Sequence, residues 1–185
     1  MFSVRSMMRI ALLGVSLGLS GCDGITDDLL PSGDDIRQTV EAGTSGTQVG
    51  QISPDFSVFD TLGNSRGLYD ELARSAGVVL YFTMWCPICE THMSHMRAEV
   101  MPQFPAVQFF LVDFVSGSVA ASRAAQVSNK YEDIDTLVDK NQALLSLYQA
   151  SMGTTVVIDS AGNIVRMNED YKDSVKLVET LQALQ

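Results

Sequence analysis

Two cysteines three residues apart, Cys86 and Cys89, carry the most specific chemistry in this chain. They lie in Trp85-Cys86-Pro87-Ile88-Cys89, between an apolar run at 78–83 and a helical pattern at 87–100. The pair therefore belongs where a strand ends and a helix begins. Only the thiolate is a nucleophile, and the free N–H groups and partial positive charge of a helix start stabilise it. The second thiol, about one turn on, can close a disulfide with the first. Two thiols so placed can pass two electrons to or from a partner protein.

The strand before the pair is nearly continuous in apolar residues, as in a strand buried on both faces. A second such run lies at 107–112, and shorter strands are expected at 136–138, 155–158 and 164–167. One more follows Pro54, carrying Phe56, Val58 and Phe59. Helical patterns cover 68–74, 87–100 (stopped by Pro102), 118–129 and 141–150, with a last helix from about 173. Turns are expected at 62–65 and 161–163. Alternating strands and helices followed by a hairpin predict an α/β fold with a mixed sheet flanked by helices.

The N-terminus has a different logic. Arg5 and Arg9 precede the ten apolar residues 10–19, a length suited to a signal peptide and too short for a bilayer. Leu19-Ser20-Gly21-Cys22 follows, and it resembles the lipobox of bacterial lipoproteins in all four positions. That resemblance implies a signal peptide over 1–21, cleavage before Cys22, and acylation of Cys22 as an anchor in the lipid bilayer. Residues 22–50 are rich in Gly, Ser, Thr and Asp and read as a lipidated flexible linker, with a short helix near 34–41. The flexible stretch has an r.m.s. reach of roughly 30 Å. The domain proper spans 51–185. The location implied is a membrane, on the periplasmic or other extracytoplasmic face, where disulfides persist. A pair kept reduced there needs an upstream membrane electron donor.

Composition limits the partners. The chain is 46% hydrophobic and 18% charged, with a formal net charge of -10. No basic patch stands out, so nucleic acid is excluded as a partner.

The Trp-Cys-x-x-Cys motif after a buried strand resembles the thioredoxin fold. More narrowly, the domain is similar to its TlpA-like and redoxin branch. Pro54-Asp55-Phe56 with Asp60 and Gly63 matches that branch's opening, and Thr154-Thr155 through Asp159 with Gly162 matches a later segment. The resemblance covers about 51–185. It implies a thiol–disulfide oxidoreductase with no cofactor beyond its redox-active disulfide, acting on client proteins with thiols or disulfides. Cys86 would attack and Cys89 would resolve the mixed disulfide. Trp85, Pro87 and the loop Met152-Gly153-Thr154 would shape the site and contact the substrate. Ile88 lends no positive charge to the thiolate, which leans the pair towards a reductant.

The chain departs from the pattern in two places. The resemblance puts a cis-proline where Gly153 stands, and the peptide before a glycine is expected to be trans. It also puts an acid six residues before the first cysteine, where this chain has Leu80. Glu90 is near in sequence but reads as a solvated helix residue.

Three other functions share these residues. Cys86, Cys89, His92, Met84 and Met93 offer sulfur and imidazole ligands for Cu(I), as in a copper chaperone. Helical phase argues that Met93, Met96 and Val100 are core and that His95 points outward, opposite Cys86. Thr83-x-x-Cys86 is similar to a peroxidase motif, for which Arg123 is the candidate arginine. Last, the domain can be a non-catalytic binding module with the pair as a staple.

Overall fold

The computed structural model describes residues 40–168 and 174–184. The signal peptide, Cys22, most of the linker and the start expected for the last helix lie outside them. Among the described residues no helix is long and apolar enough to cross a membrane.

One mixed seven-stranded sheet organises the domain. Its strands are β1 (Ser57–Asp60), β2 (Ser65–Gly67), β3 (Gly77–Thr83), β4 (Val107–Asp113), β5 (Thr136–Val138), β6 (Thr155–Asp159) and β7 (Ile164–Asn168). Their spatial order is β2-β1-β5-β4-β3-β6-β7. The neighbours β3–β4 and β4–β5 are parallel, while β1, β2, β6 and β7 join antiparallel. The helices are α1 (Leu68–Leu72), α2 (Pro87–His95), α3 (Val119–Ser128), α4 (Ala143–Leu147) and α5 (Val175–Gln182).

Strand β3 is buried at all seven positions, so each of its faces meets a core. Val79 and Tyr81 pack with Met93, Met96 and Val100 and with Leu177 and Leu181 of α5. Val78, Leu80 and Phe82 pack with Leu68 and Leu72 of α1 and Leu144 of α4. The period-2 alternation of a strand thus divides one apolar run between two layers.

Both antiparallel hairpins use one turn chemistry. Asp60-Thr61-Leu62-Gly63-Asn64 and Asp159-Ser160-Ala161-Gly162-Asn163 have the same pattern. In each the aspartate Oδ1 accepts the N–H groups two and four residues on, at 2.8–2.9 Å. Gly63 and Gly162 have φ of +87° and +89°, the left-handed region a glycine enters without strain.

The structure differs from the sequence expectation in four places. Strand β2 has no apolar residue to announce it. The expected helix over 87–100 is α-helical only to His95, then widens into a π turn over Met96–Val100 and a 3₁₀ turn over Met101–Gln103. Pro102 has no N–H to give and its ring clashes one turn back, so the preceding turn loosens instead of stopping cleanly. Helix α4 starts at Ala143, not at 141, because Asn141 and Gln142 are left-handed. Asp139 reaches past them and caps the helix, accepting the N–H groups of Leu144 and Leu145 at 2.8 Å each. Finally, the stretch 43–50, read as linker, is bonded into the domain. Gly43 N–H donates to Gly50 O at 2.9 Å, and Gly50 N–H donates to Ile164 O at 2.8 Å.

Candidate active site at the start of helix α2

Strand β3 delivers the chain to the sheet edge at Thr83. Trp85 then takes a left-handed φ of +58°, and its N–H donates to Thr83 Oγ1 at 3.1 Å. A bulky residue in that region is strained by about 1–2 kcal/mol. The bend turns the chain so that Cys86 becomes the N-cap of α2, with Pro87 in its first turn. The Cys86 sulfur accepts the N–H of Cys89 at 3.3 Å, the role a capping oxygen has in other helices. Pro87 sits where a missing N–H costs nothing.

The two thiols are free and their sulfurs are 2.6 Å apart. Cys86 is half-buried, and Cys89 is fully buried. Burial raises both thiols. The hydrogen bond between them then raises Cys86 further, and the charge of Cys89 adds to that. The same bond lowers Cys89, with help from the N–H groups of Met84 and Cys86 and from Thr83, enough to outweigh burial. The pair thus parts with one proton readily and holds the other, as interacting sites do. Among the described residues no cationic side chain is one of the main groups acting on either sulfur. Cys86 is the sulfur that a partner can reach.

The loop before β6 forms the opposite wall. All peptide bonds among the described residues are trans, and Gly153 has φ +84°. Gly153 N–H donates to Phe82 O at 2.9 Å, and Phe82 N–H donates to Thr154 O at 3.0 Å. These bonds fasten the loop to β3 just before the thiols. Thr154 is fully buried, and its Oγ1 accepts the Ser151 N–H at 2.9 Å. Met152 is exposed, with its Sδ 3.2 Å from Cys86 Sγ. Met84 and Ile88 are 44% and 54% exposed, so an apolar rim surrounds the reachable sulfur. Glu90 is exposed, as expected.

Asp113, at the end of β4, is the site-edge residue that sequence reasoning missed. Its side chain is buried and paired in register with Thr83. Burial pushes its carboxyl up, but hydrogen bonds from Ser116, Ser122 and the Val115 N–H, with the Trp85 indole nearby, outweigh this and hold it below the ordinary value. Ser122 Oγ donates at 2.7 Å. The Trp85 Nε1 is buried and makes no hydrogen bond that meets ordinary geometry. The Trp85 ring lies 6.4 Å from that of Tyr131, over which Arg97 stacks at 4.5 Å.

The candidate copper ligands are not brought together as a set. Met93 is fully buried in the core that also holds Cys89, Met96 and Val100. His92 Nδ1 lies 3.0 Å from Tyr81 Oη, and His95 is half-buried instead of outward-facing. The peroxidase elements also separate. Thr83 serves Trp85 and Cys89, while Arg123 donates to Gln126 Oε1 at 2.8 Å.

Comparison with known proteins agrees with this architecture. The model of the AhpC/TSA family matches residues 49–167. The thioredoxin-like protein YneN of Bacillus subtilis (strain 168) is 27% identical over 135 residues, 72% of this chain and 78% of that one. Among solved structures, the peroxidoxin BcpB of Mycobacterium tuberculosis superposes with a TM-score of 0.62 at 20% identity, covering 75% of this chain and 99% of that one. The exposed lipoprotein thioredoxin Etrx1 of Streptococcus pneumoniae strain TIGR4 gives 0.56 at 24% identity, covering 70% and 99%. These likenesses establish a thioredoxin-like fold. They span proteins named for two different thiol chemistries, so the choice between those rests on the site itself.

Proposed function

The chain belongs to the AhpC/TSA family, and from that premise we propose that it is an extracytoplasmic thiol–disulfide oxidoreductase, tethered to a membrane through a lipid on Cys22. The observation that carries this reading is the asymmetry of the pair. One thiol is reachable at a helix start, and a second is buried 2.6 Å behind it. That arrangement suits attack followed by resolution.

In the reducing direction, Cys86 passes its proton to the Cys89 sulfur it is hydrogen-bonded to, and the Cys86 thiolate so formed attacks one sulfur of a client disulfide. The client S–S bond breaks, and the departing sulfur takes up a proton. Cys89 then gives up its proton and attacks the Cys86 sulfur. The client's second thiol leaves, and the pair ends as a disulfide, having passed two electrons to the client. A dithiol donor at the membrane returns them. The apolar Ile88, and the fact that no cationic side chain among the described residues acts on the sulfurs, support a reductant, because an unstabilised thiolate favours the disulfide. The apolar rim of Met84, Ile88 and Met152 is the surface offered to the client. The Etrx1 likeness and the lipobox support an exported, lipid-anchored location.

The test is a Cys89→Ser variant, which should accumulate proteins linked to Cys86 that reductant releases. Absence of such adducts in cells, together with peroxide consumption by the purified wild type, would replace this reading with a peroxidase. The reduction potential should fall closer to about −270 mV than to about −120 mV, the span between reducing and oxidising members of the fold.

A further inference from the structure

We propose that the reduced pair and Met152 form a three-sulfur site for a single Cu(I) ion. The donor set differs from the one the sequence suggested. Met152 Sδ lies 3.2 Å from Cys86 Sγ, which lies 2.6 Å from Cys89 Sγ. The half-buried Cys86 sulfur thus touches a buried thiol of its own helix and an exposed thioether from a separate segment. Met93, by contrast, is committed to the core, and His92 faces the Tyr81 hydroxyl.

The ligand types select the metal. Among the described residues there is no group of three His, Cys, Asp or Glu side chains that could hold an ion. The side-chain donor in contact with the pair is the Met152 thioether. Zn(II) sites use four nitrogen, oxygen or thiolate ligands, whereas two thiolates and a thioether suit Cu(I). With metal–sulfur bonds of about 2.3 Å, trigonal sulfurs stand about 4 Å apart, so the Cys86–Cys89 separation must widen by about 1.4 Å and the Cys86–Met152 separation by about 0.8 Å. Cys86 and Met152 both reach the surface, and methionine has three rotatable side-chain bonds, so these two sulfurs have room to move apart.

Charge also fits. Two thiolates and one Cu(I) leave a single negative charge, set against the N–H groups of Ile88 and Cys89 at the start of nine-residue α2. Binding displaces the thiol protons and transfers no electrons. The Cys86–Cys89 disulfide has no thiolate to offer, so oxidation closes the site. Exchange activity is not required, only the reduced pair.

The experiment is an anaerobic titration of the reduced protein with Cu(I) against a competing chelator, with X-ray absorption to count sulfur neighbours. Wild type should bind one equivalent with three sulfurs. Met152→Leu, a change at an exposed side chain, should bind at least tenfold more weakly with two sulfurs, while His92→Gln and Met93→Leu keep three. Equal affinity and sulfur count in Met152→Leu overturns the site, as does a nitrogen neighbour lost in His92→Gln. Wild type that exchanges disulfides but yields Cu(I) to the chelator overturns the copper site alone. Copper binding without Cys86-linked adducts in Cys89→Ser overturns the exchange reading alone.

Discussion

Thr83 and Asp113 are register partners across the parallel strands β3 and β4. The strand that delivers the cysteines therefore ends beside a buried carboxylate. Thr83 turns its hydroxyl to the Trp85 N–H and to Cys89, while Asp113 gathers Ser122 and the N–H groups of Val115 and Ser116. Asp113 is not among the groups that act on either thiol. Its part is to fasten the 113–116 turn and α3 beside the bend at Trp85.

Asp113→Asn should accordingly destabilise the fold at neutral pH by about 1.5–3 kcal/mol, because a charged acceptor of several hydrogen bonds is lost. The pH dependence has a definite sign. The native carboxyl titrates below its ordinary 3.8, so its contribution is complete above that value and disappears as pH falls through the lowered native value. Denaturation curves from pH 7 down to 2 should fall less steeply for Asp113→Asn than for wild type below about pH 4. Parallel curves would show that Asp113 contributes nothing through its charge.

The shared proton makes a second prediction. In Cys89→Ala the hydrogen bond and the charge that raise Cys86 both disappear, and the N–H groups of the helix start remain. The rate of Cys86 alkylation against pH should show two steps in wild type. It should show one in the variant, lying below the upper wild-type step. A single step at or above that upper one would mean that burial, not the partner thiol, holds the Cys86 proton.

Much of this site was legible in the sequence. The apolar run of β3, the cysteine pair and Pro87 all speak locally, through periodicity and helix-start chemistry. Helical phase also put Met93, Met96 and Val100 in the core. What was not legible depends on contacts between distant segments. Asp113 is one acid at a strand end until the β3–β4 register sets it against Thr83. Met152 stands in the sequence as a candidate site-shaping residue, but its sulfur contact depends on the Gly153 bonds to Phe82. Strand β2 has no apolar pattern because it is an edge strand of Ser65, Arg66 and Gly67, held by pairing to β1 and by the Arg66 bond to Asp60 at 2.9 Å.

Gly77 gives a prediction that separates stability from chemistry. A Cβ there would lie 2.7 Å from Ile158 O and 2.8 Å from Leu184 Cδ1, and the carbonyl belongs to a paired strand that cannot yield. Gly77→Ala should lower unfolding free energy by about 1–3 kcal/mol, the scale of overpacking. Because Gly77 and Thr83 are opposite ends of β3, the reduction potential should not move. A shifted potential with unchanged stability would contradict this division.

Gly153 can be tested by restoring the proline that the fold's relatives are expected to carry. Here the residue has φ +84°, and its N–H donates to Phe82 O at 2.9 Å. Proline requires φ near −65° and has no N–H, so Gly153→Pro loses the bond and opposes the backbone, at a cost of about 3 kcal/mol or more. Gly153→Ala keeps the N–H and meets only the left-handed penalty of about 1–2 kcal/mol. The expected order of stability is wild type, then alanine, then proline. The loop should also detach from β3 in the proline variant, carrying Met152 away from Cys86 and speeding alkylation of that thiol. A proline variant as stable as wild type would mean that this wall of the site switches freely between two backbone forms, and that Met152 is not held where it stands.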